Sequence, residues 1–261
     1  MLANVLSLEN VSLVRNGNSI LDSVNFTVAP NDRWVVLGPN GAGKTSILRL
    51  ASTTLHPTAG KVTILDQKLG KSDVFEVRSR VGMVSSAVAR AIPEQETALD
   101  VVVTAAFAVT GRWREEYEHL DFDRAKQIMA QWQVEHLSER KFGSLSDGER
   151  KRVLISRALM TDPEMLLLDE PAASLDLGSR EHLIRLLSTF ASSPIAPAMV
   201  MVTHHVEEIP PGFTHALLLK DGKVLAQGEL DSVVTAENLS SLYDLPILLD
   251  SSQGRFSARA R

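Results

Sequence analysis

One run of residues is built to hold a phosphate chain. Gly38-Pro39-Asn40-Gly41-Ala42-Gly43-Lys44-Thr45 satisfies G-x-x-x-x-G-K-[ST], in which glycines let successive backbone N–H groups curl around phosphate oxygens that a Cβ would keep away. Lys44 adds a cation facing the β- and γ-phosphates. The Thr45 hydroxyl suits Mg²⁺, and Ser46 beside it belongs to the nucleotide-binding run. A pair of acids suits the same chemistry. Asp169-Glu170 ends the apolar run Met165-Leu166-Leu167-Leu168, placing two carboxylates at the C-terminal edge of a strand, where open α/β sheets put their ligands. Asp169 suits Mg²⁺ held through water. Glu170 suits taking a proton from, or orienting, the water that attacks a γ-phosphate. A lone Asp-Glu after a strand is as readily a helix cap; the pairing with a phosphate loop is what makes it informative.

The elements that must position these groups follow in the required order. Trp34-Val35-Val36-Leu37 reads as a strand before the glycine loop, and 45–52, with Ile47, Leu48 and Leu50, as a helix after it. Strand, glycine loop, helix is how a phosphate site is assembled. Upstream, 5–14 and 20–28 read as an antiparallel hairpin around Asn16-Gly17-Asn18, and 60–65 and 81–84 as further strands. From 97 to 160 the periodicity is helical, over 98–109, 122–134 and 148–160, and the block reads as a subdomain inserted into the strands. The apolar run 165–168 suits a strand buried on both faces of a parallel sheet. Helix 179–190 and strand 198–202 complete a β-α-β unit, and 216–220 and 223–226 form a hairpin around Asp221-Gly222. The end, 254–261, is small, polar and basic and is expected to fray.

Composition narrows the class. At 261 residues the chain makes one large domain or two small ones, at about 150 residues each. With no cysteine, disulfide scaffolds, zinc-thiolate sites, iron–sulfur clusters and thiol catalysis are excluded. A net charge of −5 argues against broad attraction to nucleic acid or anionic lipid. The most apolar stretch, 98–109, is interrupted by Asp100 and Thr104 and falls short of the roughly 18 to 20 residues that cross a bilayer. The opening Met1-Leu2-Ala3-Asn4-Val5-Leu6 lacks the basic and apolar segments of a secretory signal, so no export signal is expected.

A further motif separates this chain from other phosphate-loop proteins. Leu145-Ser146-Asp147-Gly148-Glu149 is in isolation an N-capping loop, Ser followed three residues later by Glu. A serine hydroxyl, a glycine backbone and a helix N-terminus also make a site for anionic oxygen. Placed before the Asp169 strand, the motif resembles the L-S-G-G-Q signature of ABC-type ATPases, the nucleotide-binding subunits of ATP-binding cassette systems. The resemblance covers almost the whole chain. Ser174-Leu175-Asp176 is similar to the family's loop coupling two subunits, and Pro171 after the acid pair is also typical. Val202-Thr203-His204 resembles the segment that ends in a switch histidine, so His204 is expected to donate to the γ-phosphate. His205 stands where the family often has an acid, and a metal site at this histidine pair would need ligands the chain does not obviously supply.

Two positions depart from the pattern. The family's adenine-stacking aromatic residue falls on Arg15, whose guanidinium plane can also stack on a base. The glutamine that follows the strand 81–84, and that reaches Mg²⁺ and the attacking water, is replaced by Ser86, whose short hydroxyl acts only through a water. The Ser85-Ser86 pair, the run 203–210 and the segment 222–228 resemble the molybdate- and iron-type subgroup, and the stretch 237–248 the end of iron-chelate and cobalamin importer ATPases.

The resemblance implies an α/β fold: a P-loop NTPase (RecA-like) core with an N-terminal antiparallel β-subdomain and an inserted α-helical subdomain. The ATPase domain is expected over 1–245, with core 1–86 and 159–245, helical subdomain 87–158, and a tail 246–261. It implies ATP and Mg²⁺ as cofactors and a head-to-tail dimer in which residues 145–149 read the γ-phosphate held by the other copy. It also implies a separate transmembrane permease, a solute-binding protein for the system, no direct nucleic-acid partner, and a cytoplasmic location, peripheral on the membrane when bound to the permease. The competing reading is a soluble ABC ATPase acting as a regulatory or nucleic-acid-associated switch. Members of that class usually carry two cassettes or extra domains, and the sequence shows neither. A small-molecule kinase would leave the signature, Ser174-Leu175-Asp176 and His204 unexplained together.

Overall fold

Two sheets share the work of framing the site. In the computed structural model residues 4–71, 74–107, 109–111 and 117–261 are described; Met1-Leu2-Ala3, Ala108 of the predicted helix 98–109 and residues 112–116 of the predicted helical block lie outside them. Strands β1 (Leu6–Arg15) and β2 (Asn18–Val28) pair antiparallel from Leu6↔Val28 to Arg15↔Asn18. Then come β3 (Arg33–Leu37), α1 (Lys44–Ala51), β4 (Ala59–Ile64), β5 (Gln67–Lys68), α2 (Val74–Ser79), β6 (Val81–Val84) and α3 (Ser86–Ala91). Strand β4 pairs with the free edge of β1 and β5 extends it, giving an antiparallel N-terminal sheet of order β2-β1-β4-β5.

The helical block holds α4 (Ala98–Val103), a 3-10 turn over Thr104–Phe107, α5 (His119–Gln131) and α6 (Asp147–Leu159). After it come β7 (Met165–Asp169), α7 (Leu177–Ala191), β8 (Ala198–Thr203), β9 (His215–Lys220), β10 (Lys223–Glu229), α8 (Leu230–Val233), α9 (Ala236–Tyr243), β11 (Ile247–Ser252) and β12 (Arg255–Ala260). The central sheet has order β10-β9-β3-β8-β7-β6. Only β10 runs antiparallel in it.

Alternation along the inner strands explains why they read as unbroken apolar runs. Val35, Leu37, Leu166, Leu168, Met199 and Met201 pack toward the helical block, while Trp34, Val36, Leu167, Val200 and Val202 pack toward α1 and the N-terminal sheet. Both faces are therefore dry, and Met165 through Leu168 have no exposed surface. The parallel register Leu37↔Thr203 and Asp169↔Val202 brings the ends of β3, β8 and β7 level. The phosphate loop, the His204 segment and the Asp169-Glu170 pair consequently leave the sheet at one edge.

Two expectations fail. The predicted helix 98–109 is α-helical only to Val103 and passes into a 3-10 turn over Thr104–Phe107. The buried Arg157 of α6 takes up the acceptors this leaves: it donates to Val101 O at 2.6 Å, Thr104 Oγ1 at 2.9 Å and Val109 O at 2.7 Å. The tail 254–261 does not fray. Strand β12 pairs with β11 from Ile247↔Ala260 to Ser252↔Arg255, Phe256 is buried, and Arg255 forms a bidentate pair with Glu181 at 2.8 and 3.1 Å. Its partners are remote in sequence, which is why composition alone suggested a loose end.

Burial pulls the Arg157 pKa down to about 10, still well above neutrality, so the guanidinium remains a charged clamp between α6 and the α4 segment. Arg157→Met should remove three hydrogen bonds, leaving Val101 O with the Thr104 hydroxyl as a donor, and lower unfolding free energy by about 2–4 kcal/mol, measured by equilibrium denaturation.

Candidate functional site

The loop between β3 and α1 is shaped by close contacts that leave no room for side chains. A Cβ on Gly38 would lie 2.2 Å from Leu219 O of β9, and Gly43, at φ +101°, would push one to 2.7 Å from Ile20 O of β2. The loop is also tied to the β9–β10 turn, where Gly222 N donates to Ala42 O at 3.2 Å. No side chain caps α1, so its N-terminal turn faces the loop's interior as an anion site. Lys44 is buried, and its Nζ donates to Gly38 O at 2.7 Å and Pro39 O at 3.0 Å, closing the loop on itself. Burial lowers its pKa, opposed by the charges of Glu170 and Asp169.

The acid pair stands across from the loop. Thr45 Oγ1 donates to Asp169 Oδ1 at 3.1 Å, bringing together the hydroxyl and carboxylate expected from the sequence to serve Mg²⁺. Burial raises the Asp169 pKa first; the Thr45 hydrogen bond works against it. One hydroxyl and one carboxylate fit a hard cation whose other ligands are water and phosphate oxygen. Glu170 adopts φ +48°, a left-handed conformation that costs a non-glycine residue on the order of 1 kcal/mol. Its N–H donates to Val202 O at 3.0 Å, and its carbonyl accepts from Lys151 Nζ of α6 at 3.2 Å.

His204 follows β8 directly. Its Nδ1 lies 3.4 Å from Glu170 Oε1 but makes no hydrogen bond although it is buried, so the ring is positioned next to the acid without being locked to it. The backbone beneath is fixed more firmly. Buried Thr203 donates to the buried Glu208 carboxylate and accepts from His205 N at 3.1 Å, while Tyr243 OH donates to His204 O at 3.0 Å. Sequence reading missed Lys151, Glu208 and Tyr243. Only Lys151 carried a signal, one helical turn beyond Asp147.

The signature segment caps its own helix. Glu149 accepts from Ser146 N at 2.8 Å and Ser146 Oγ at 2.9 Å, and Arg140 stands 3.8 Å away. Leu145 is buried beneath. Asp176 caps α7, accepting from Ser179 N and Ser179 Oγ, each at 2.9 Å. Between the two helix starts lies an open cavity of ≈ 200 Å³ lined by Ser146, Gly148, Glu149, Arg152, Ser179 and His182. Ser174 is left-handed at φ +66°, and Leu177, one residue beyond Asp176, is exposed. Ser86 is exposed at the start of α3, a helix capped by Ser85 rather than by Ser86. Arg15 is exposed at the end of β1, in the hairpin whose Ile20 touches the phosphate loop.

A glycine loop between strand and helix, with an acid pair on a nearby strand end, defines a phosphate-loop nucleotide-binding protein. The ABC transporter family profile matches residues 21–173. The ABC transporter ATP-binding protein YlmA of Bacillus subtilis is 37% identical over 258 residues, covering 98% of this chain and 97% of its own. An inward-facing metal-chelate type ABC transporter structure matches with TM-score 0.77 and 26% identity over 98% of this chain and 96% of that one. A dimeric ATP-binding cassette in a post-hydrolysis state with ADP and Pi matches with TM-score 0.75 and 26% identity, over 86% and 98%. The chain belongs to the ABC transporter family, as an ATP-binding subunit with the cassette fold and ATPase activity of that family.

Lys44→Ala removes the cation facing the phosphates and should weaken ATP binding by roughly tenfold or more, read by fluorescent-nucleotide titration. Arg15→Ala should cost about two- to fivefold in the same assay if the guanidinium stacks on the base; unchanged affinity would leave Arg15 a solvent-facing residue.

Proposed function

We propose that this chain is the ATP-hydrolysing subunit of a transporter whose membrane part is a separate polypeptide, and that two copies work head to tail around two ATP molecules. One observation carries the reading. Lys44, Thr45, Asp169, Glu170 and His204 gather at one sheet edge, while Ser146 and Glu149, the γ-phosphate reader implied by the family, lie on a separate helix start where they bond each other, with Arg140 3.8 Å from Glu149. A single copy thus holds one half of a site and offers half of another.

In this scheme Gly38, Pro39, Asn40, Gly41, Ala42, Gly43, Lys44 and Ser46 wrap the phosphates, and Arg15 lies against the base. Thr45 and Asp169 hold Mg²⁺, which when bound neutralises phosphate charge. Glu170 accepts the proton of the attacking water, and His204 donates to the γ-phosphate from beside Glu170. Ser86 acts on the same water through a second one. The partner copy's Ser146, at the N-terminus of its α6, adds a hydroxyl and helix dipole to the γ-phosphate. Ser174, Leu175 and Asp176, projecting between the two halves, link them.

Among the described residues no helix is long and apolar enough to cross a membrane, which accords with a permease on another chain and a peripheral, cytoplasmic place for this one. The match to a metal-chelate type transporter supports that partner. A solute-binding protein is in this scheme a partner of the permease.

Glu170→Gln keeps size and hydrogen bonding but removes the base. It should retain ATP binding, lose roughly 100-fold or more of hydrolysis and accumulate an ATP-bound dimer on size-exclusion chromatography. Wild-type turnover in this variant would refute the assignment.

A further inference from the structure

Lys151 occupies an unusual crossing point. It lies on α6, one turn beyond Asp147 of the signature, and its Nζ reaches back to the carbonyl of Glu170 at 3.2 Å. It is only partly exposed, and four carboxylates act on it, those of Asp147, Asp169, Glu170 and Glu208. Two of them belong to the chain's own phosphate site. Asp147 belongs to the segment that faces the partner's nucleotide.

We propose that Lys151 is a positioning residue that carries the state of the signature helix, set by the partner copy's ATP, to the Glu170 carboxylate acting on the chain's own ATP. The inference rests on the reading of Glu170 as base and of the working unit as a head-to-tail pair. Glu170 is held in a left-handed conformation by an anchor on each side of its backbone. The anchor on its N–H, Val202 O, belongs to a strand buried on both faces and does not move independently of the core. The anchor on its carbonyl is the ammonium of α6. A shift of the first turns of α6 therefore reaches the Glu170 peptide through one charge-assisted hydrogen bond. The same ammonium offsets repulsion among the acids around it, so it sets both where the carboxylate sits and how much negative charge that edge tolerates. The contact supplies a continuous bonded route from α6 to the Glu170 peptide, and coupling along it is what the variants below measure.

The test uses the full chain with Lys151→Met, which keeps the aliphatic stem, Lys151→Arg, which keeps the charge, and Lys151→Gln, which keeps a neutral donor should the methionine variant misfold. Fluorescent-nucleotide affinity should fall less than turnover does, because the Lys151 hydrogen bond goes to the Glu170 carbonyl rather than to the phosphate loop. Turnover of Lys151→Met should fall roughly tenfold, the scale of one lost charge-assisted hydrogen bond, and its dependence on ATP concentration should become less steep than that of the wild type. Lys151→Arg should recover most of both, and Lys151→Gln should fall between. In a Glu170→Gln background Lys151→Met should still form the ATP-bound dimer. Wild-type turnover and steepness in Lys151→Met, or equal losses in Lys151→Arg and Lys151→Met, would overturn the inference while leaving the dimer intact. If Glu170→Gln alone neither slows hydrolysis nor traps a dimer, the underlying reading falls and this one with it.

Discussion

Charge held out of water at one edge of the central sheet is the constraint around which the rest of the structure is arranged. Lys44 is almost fully buried, Asp169 is partly so, and burial pushes each toward its neutral form. An isolated ion in such a place is costly, and what makes it tolerable is mutual compensation and hydrogen bonding. Lys44 satisfies itself on two carbonyls of its own loop, Asp169 accepts from Thr45, and Lys151 adds a second cation opposite the acids. These pairings need three strand ends at the same height, and hence a parallel sheet dry on both faces. The same strand ends carry the glycine loop and the start of α1, which no side chain caps, so the framework that tolerates the charge is also the one on which a polyphosphate site is built.

The opposite half of the chemistry is set up differently. Residues 145–149 lie on a helix start whose hydroxyl and N–H are both taken by Glu149. Under the proposed pairing, that carboxylate occupies the kind of position an anionic oxygen of the other copy's nucleotide would claim, so engagement would require the capping interaction to loosen. Burial works to raise the Glu149 pKa, but the hydrogen bonds from Ser146 and the charges of Arg140 and Arg152 together outweigh it and hold the carboxyl below its usual range. In the proposed head-to-tail pair the contact between copies would then exchange one set of hydrogen bonds for another, which would keep it reversible.

Much of this was legible in the residues themselves. The phosphate loop, the acid pair and the strand 165–168 were readable because each is local: spacing, glycine and an unbroken apolar run report on backbone geometry within a few positions. Helix α6 and the capping box at Ser146 and Glu149 were readable for the same reason. What escaped was anything fixed by distant partners. The end of α4 is bonded by Arg157, more than fifty positions away; the anchoring of Glu170 depends on Lys151; and the order of the C-terminal hairpin depends on Glu181 and Glu207. Arg15 and Ser86 show the converse: a family pattern can name a position, but both side chains are exposed in the chain alone.

The C-terminal hairpin shows how such remote contacts bear on chemistry. Arg255 donates to Glu207 O at 2.8 Å, Ala258 N donates to the Glu207 carboxylate at 2.9 Å, and Tyr243 OH reaches His204 O. All three land on the short segment that carries the histidine. The ion pair of Arg255 with Glu181 is partly exposed and contributes about 1 kcal/mol or less, so it does not hold the hairpin alone; buried Phe256 and the β11–β12 ladder supply the rest. The result is a backbone clamped from below and an imidazole left unbonded above, near Glu170. The γ-phosphate contact proposed for His204 would draw on that combination, since a mobile backbone would blur the response and a side chain already bonded could not make it.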